Sequence, residues 1–180
     1  MRYTTWKTIV LATLLIALPA THAATGESAG HDLRKVGEGE FRWFGLPIYK
    51  ASLWADEQVS RDRLFGSRLM LTLEYDRTIS KQRIVDTTLG EWQRISDEQL
   101  ERQRRWAELM LNILPDVRPG DRLSSLMIPG EETRFYLDGA EIGRIDDPDF
   151  GPEFLSIWLD RNTRSNKLRK KLLADMRAVS

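Results

Sequence analysis

The side chains that most often carry catalysis are scarce here. The 180-residue chain has no cysteine and two histidines, His22 and His31. A Ser-His-Asp or Cys-His machine needs a histidine base beside its nucleophile, and a zinc site of the usual kind needs histidine or thiolate ligands. Neither set is available. The acids Asp146, Asp147, Asp149 and Glu153 offer oxygen ligands of the kind calcium takes. Their spacing is not that of an EF-hand loop, and acids just before a helix are expected from its dipole alone. Gly37-Glu38-Gly39 is too short for a phosphate loop and lacks a helix behind it. What remains is an excess of large, polar-tipped rings: Trp43, Tyr49, Trp54, Tyr75, Trp92, Trp106, Tyr136 and Trp158, with Phe44 beside them. Core packing accounts for most of these. Some could line an apolar cleft, with Arg42, Arg68 or Arg134 holding an acidic head group.

The elements that would position these rings follow from the pattern. Residues 36–44 (VGEGEFRWF) and 48–54 (IYKASLW) read as strands joined by a Gly45-Leu46-Pro47 turn. In the second, Tyr49, Ala51 and Leu53 share one face. Residues 68–75 alternate with Leu69, Leu71, Leu73 and Tyr75 on one side. Ser80 caps a helix whose apolar stripe is Ile84, Val85, Thr88, Leu89, Trp92 and Ile95. Ser96 with Gln99 fits a capping box for a second helix, with Leu100, Ala107, Met110, Leu111 and Leu114 inward and Pro115 at its end. A strand at 122–128 precedes a hairpin of 133–137 and 140–145, turned by Asp138-Gly139. Helices follow over 152–159 and after Ser165. Strands, two helices, strands, two helices: this order favours an α+β fold, an antiparallel sheet with helices on one side, over a doubly wound parallel one.

The chain start reads differently. Arg2 and Lys7 precede the apolar run of residues 8–20 (TIVLATLLIALPA), and Thr21-His22-Ala23 offers small residues at the −3 and −1 positions. That is a signal peptide over 1–23, cleaved near Ala23, and it implies a periplasmic or secreted protein. The run is short for a bilayer span of about 20 residues, and no later segment is apolar for long enough. Residues 24–34 are small and polar and read as a loosely ordered lead-in to a single domain over 35–180. Acids and bases balance at 27 each, so charge gives no support to nucleic-acid binding.

Five segments carry a resemblance: GLPIYKASLW, LEYDRTISKQRIVDTTLGEW, LPDVRPGDRL, FYLDGAEIGRIDDPDFGPEFLSIWL and NTRSNKLRKKLL. Their order and spacing resemble the bacterial chalcone isomerase-like proteins over about residues 36–173. The resemblance implies an open-faced sandwich, a curved antiparallel sheet packed against a layer of helices with a cleft between. True chalcone isomerases use a tyrosine and an asparagine at the start of the helix after the long central strand; the matching positions here hold Ser80 and Thr87. A threonine on the early strand is also used there, where this chain has Trp43 and Phe44. The arginine that steadies the developing oxyanion has no match within residues 37–40. Plant relatives bind fatty acids through an arginine and a tyrosine, a pair without a clear counterpart here.

The expectation is an exported, non-catalytic domain that binds a small apolar ligand such as an acyl chain, with no cofactor and no metal. The residues expected to line its site are Trp43, Tyr49, Tyr75, Ser80, Thr87 and Trp92, with Arg42 at the head group. Two other classes stay open. One is an intramolecular lyase or isomerase with Tyr49 or Tyr75 as acid; the other is an envelope module whose protein partner is unknown.

Overall fold

The computed structural model describes residues 32–95 and 99–176. The segment read from the sequence as a signal peptide, most of the lead-in at 24–34, His31 and Ser96 lie outside the described residues. Six strands form one sheet in sequence order, each antiparallel to the next: β1 (Arg34–Trp43), β2 (Leu46–Ala55), β3 (Leu69–Tyr75), β4 (Arg122–Met127), β5 (Thr133–Leu137) and β6 (Ala140–Ile145). A 3-10 turn, Arg61–Gly66, links β2 to β3. Helices α1 (Lys81–Ile95) and α2 (Leu100–Ile113) separate β3 from β4, and α3 (Phe150–Leu159) and α4 (Asn166–Leu172) follow β6. The class and element order match the pattern reading.

Alternation decides which face the helices cover. Leu69, Leu71, Leu73 and Tyr75 of β3 point into the main core with Ala51 and Leu53 of β2, while Met70, Thr72 and Glu74 face the other way. That far face keeps only a small apolar patch of Leu33, Leu126 and Tyr136 flanked by Trp54, Met70 and Ile128. A chain of rings joins the helices to one another and to β5: Trp92, Trp106, Phe135, Phe150, Phe154 and Trp158 meet at centroid distances of 5.4–6.0 Å.

Several boundaries differ from the pattern, each for a local reason. β1 starts at Arg34, and Leu33 before it is buried, because Arg34 pairs with Ala55 at the end of β2. The first turn is Phe44-Gly45, not Gly45-Leu46-Pro47, so Leu46 pairs with Trp43. α3 begins two residues before Pro152, at Phe150, with Asp149 as its N-cap residue. On α2 the inward face holds Gln103 and Trp106 with Ala107 and Met110; Leu100 is exposed. That face turns toward the acidic 146–149 segment, where Trp106 Nε1 donates to Asp147 at 2.9 Å. β1 and α4 touch closely at Gly37, where a Cβ would stand 2.1 Å from the Lys171 carbonyl oxygen.

Candidate functional site

Between the sheet and the helices lies a cleft of about 810 Å³. Its floor is built by inward-facing strand residues: Phe41 of β1, Tyr49 of β2, Leu73 and Tyr75 of β3, and Leu123 of β4. Phe41 stacks on Tyr49 at 5.2 Å, and Tyr49 meets Tyr75 edge-on at 6.0 Å. One wall is α1, through Ile84, Thr87, Thr88 and Glu91. The other is α3 and its exit loop, through Phe154, Ile157, Trp158, Thr163 and Arg164. Ser80 sits where α1 begins and caps it, its Oγ accepting from Arg83 N at 3.3 Å. Helix α1 leans over the cleft because its inward stripe is Val85, Thr88 and Trp92, spaced for one helical face.

Of the residues singled out by the sequence, Trp43, Tyr49, Tyr75, Ser80 and Thr87 all line this cleft. Trp92 and Arg42 do not. Trp92 is fully buried, its Nε1 donating to the Glu153 carbonyl at 3.0 Å. It lies one turn beyond Thr88, where α2 and α3 close over the helix and Trp106 and Phe150 meet its ring. Arg42 follows a β-bulge between Phe41 and itself, and its side chain turns to Glu40 at 2.9 Å and to the Gly45 carbonyl at 3.0 Å. The other two arginines considered for a head group are held elsewhere. Arg68 is clasped by Asp32 and Asp56, and Arg134 by Glu132.

The cationic groups at the cleft are instead Arg77, Arg83 and Arg164. Glu91 is the only carboxylate among the described lining residues, and Arg164 and Arg94 reach it at 2.7 and 2.9 Å. Arg77 Nε donates to the Pro47 carbonyl at 3.0 Å. Arg83, on the first turn of α1, has no ion-pair partner among the described residues. The site therefore carries more positive charge than its acid neutralises. Residues 77–83 read from the sequence as a loop and a helix cap. The one signal was an arginine on each side of Ser80, which means little until the cap is seen to face the sheet.

Burial pushes the Tyr49 and Tyr75 phenols well above the ordinary phenol range. Both stay neutral at physiological pH, as hydrogen-bond donors rather than bases. Tyr49 Oη already accepts from Trp158 Nε1 at 2.9 Å; Tyr75 Oη has no hydrogen-bond partner among the described residues. The described lining residues include no histidine or cysteine. The acids of 146–153 serve the fold: Asp147 takes the Trp106 indole and the Asp149 amide, Asp149 pairs with Arg102, and Asp146 with Arg144. Among the described residues no three acids or histidines converge as metal ligands would, and no helix is long and apolar enough to cross a membrane. The arrangement can enclose an apolar body, and it can hold one polar or anionic end with neutral hydroxyls and a guanidinium.

The comparisons with known proteins agree with this architecture. A family model described as chalcone isomerase-like matches residues 20–174. An uncharacterized protein of Haemophilus influenzae is 25% identical over 138 residues, which is 77% of this chain and 66% of that protein; the chain thus spans just under two thirds of its relative's length. The crystal structure of an Arabidopsis thaliana fatty-acid binding protein superposes with a TM-score of 0.62 at 12% identity, covering 81% of this chain and 89% of that one. That degree of likeness establishes a shared fold.

Proposed function

The chain belongs to the chalcone isomerase-like family, and from that premise we propose that it is a non-catalytic member whose cleft binds a small apolar ligand with one polar end, such as an acyl chain. The observation that carries this is the cleft itself. It is within the roughly 300–1,000 Å³ range of ligand pockets, its floor is aromatic and aliphatic, and the Arg83 guanidinium and the Tyr75 hydroxyl have no hydrogen-bond or ion-pair partner among the described residues. The structural neighbour from Arabidopsis thaliana, a fatty-acid binding protein, supports the same reading. At the positions that the resemblance matches to the isomerases' tyrosine and asparagine, this chain has Ser80 just before α1 and Thr87 within it.

Calorimetric titration with a long-chain fatty acid and with the alcohol of equal length tests the proposal. The acid should bind more tightly than the alcohol. Thr87→Trp, an exposed α1 residue that lines the cleft, should weaken both by filling the space. Absence of binding by either ligand would overturn the reading. Turnover of a chalcone that is abolished in Tyr75→Phe would replace it with the lyase or isomerase alternative.

We propose further that the protein is exported and cleaved before Ala24, on the strength of the basic start, the apolar run at 8–20 and the small residues of 21–23. Fractionation followed by N-terminal sequencing checks this, and a cytoplasmic protein starting at Met1 would refute it.

A further inference from the structure

The hairpin joining β1 and β2 is built against ordinary turn chemistry. Phe44 and Gly45 both have positive φ, +49° and +80°, the pattern of a two-residue type I′ turn. Such a turn favours asparagine, aspartate or glycine at its first position, and a bulky aromatic there is an outlier. The protein's other turn of this kind uses Asp138 at φ +50°, followed by Gly139 at +88°. Phe44 is also 89% exposed, with Trp43 at 46% and Leu46 at 51%. Its one ring partner is Trp43, at 5.0 Å. So Phe44 helps neither the turn nor the core.

Three guanidinium groups surround this apolar tip. Arg42 donates to the Gly45 carbonyl and Arg77 to the Pro47 carbonyl, each at 3.0 Å. Arg164 lies over the Trp43 ring at 5.8 Å. Arg42 is paired with Glu40 and Arg164 with Glu91, while Arg77 has no ion-pair partner among the described residues, so the rim keeps a modest net positive charge. An exposed phenylalanine and leucine, an amphipathic indole and such a rim match the chemistry of a protein that rests in an anionic lipid interface. A stable protein partner would need about 800 Å² on each side, some 20–30 residues; this tip offers four. A bilayer needs no shaped counterpart. Trp43 connects the tip to the cleft, because it lines that cavity as well.

We propose that the Trp43-Phe44-Gly45-Leu46 tip docks the protein on an anionic membrane surface, presenting the mouth of the cleft to the lipid. The docking goes beyond cleft binding and does not depend on what the cleft holds.

The chain has no cysteine, so Leu46→Cys accepts a single polarity-sensitive fluorophore at the tip. Glu131→Cys, in the turn between β4 and β5 at the opposite end of the sheet, is the control. With vesicles of phosphatidylcholine and phosphatidylglycerol, the label at 46 should shift to the blue and that at 131 should not. Phosphatidylcholine alone should give a much weaker response. Phe44→Asn creates the preferred Asn-Gly turn, so Tm should hold or rise while vesicle affinity falls roughly tenfold. Comparing full chains that differ only at this position cancels any contribution of residues 8–20. Equal shifts at 46 and 131, unchanged affinity in Phe44→Asn, or a concentration-dependent dimer abolished by Phe44→Asn in place of vesicle binding would each overturn the inference. Fatty-acid titration of Phe44→Asn without vesicles separates the two ideas: intact binding there alongside failed docking sinks only the docking.

Discussion

Trp158 of α3 donates its indole N–H to the hydroxyl of Tyr49 on β2 at 2.9 Å. This bond ties a helix to the sheet across the floor of the cleft, between residues 109 positions apart. It holds the α3 wall and the aromatic floor at a set separation, so the cavity depends on it. Tyr49→Phe leaves the indole N–H without its acceptor. Stability should fall by about 1 kcal/mol, the usual scale for one such bond, read from the urea midpoint. Adding Trp158→Phe should restore part of the loss. Fully additive losses in the double variant would show that the two groups act independently.

A second joint ties α1 to the loop after α3 beside the cleft. Glu91 is the shared partner of Arg94 and Arg164, and Arg94 also holds the Asn162 carbonyl at 2.8 Å. The Glu91 side chain is only 11% exposed, so Glu91→Gln removes charge-assisted bonds from a sheltered site. A loss of about 1.5–3 kcal/mol is expected. Amide exchange in the loop after α3 should quicken, and unchanged exchange there would argue against a joint.

Glu153 sets a pH dependence. Burial raises its carboxyl above the ordinary value of 4.5, while Gln103 Nε2, at 3.2 Å, pulls it back. The folded state therefore holds the proton more tightly than the unfolded chain. The stability this contributes is present below the ordinary value and is lost as pH rises through the folded one. Glu153→Gln should thus gain on the native protein more at neutral pH than at about pH 4. Melting curves of both proteins across that window decide it; a difference independent of pH would refute it.

Two glycines make opposite predictions. A Cβ at Gly37 would meet the carbonyl oxygens of Lys171 and Leu172 at 2.1 and 2.7 Å. Backbone cannot swing aside as a side chain can, so Gly37→Ala should cost about 1–3 kcal/mol or more and loosen α4 from β1. At Gly90, exposed within α1, nothing lies within 4 Å. Gly90→Ala should stabilise by about 0.5–1 kcal/mol through helix propensity. Thermal melts of the pair check both signs.

The proposed binding of an acyl ligand gives the last prediction. Arg83→Gln should lower affinity for a fatty acid roughly tenfold, the size of one charge-assisted bond, and leave the alcohol of equal length nearly unchanged. Equal weakening of both would place the carboxylate elsewhere.

Local periodicity was enough to define the scaffold. Strand alternation placed Leu69, Leu71, Leu73 and Tyr75 on one face, Asp138-Gly139 marked its hairpin, and Ser80 and Ser165 cap their helices. These features depend on neighbours within a few positions, so the chain states them directly. The composition of the cleft does not. Tyr49 meets Trp158, and Glu91 meets Arg164, only after the helices dock. Arg42 and Trp92 carry the right chemistry but point elsewhere: a bulge redirects one, and α2 and α3 bury the other. Arg77 and Arg83 look like loop and cap residues until β3 ends beside α1 and turns them toward the cavity. Short-range spacing set which residues could face inward; the packing of four helices on six strands chose which of them surround empty space.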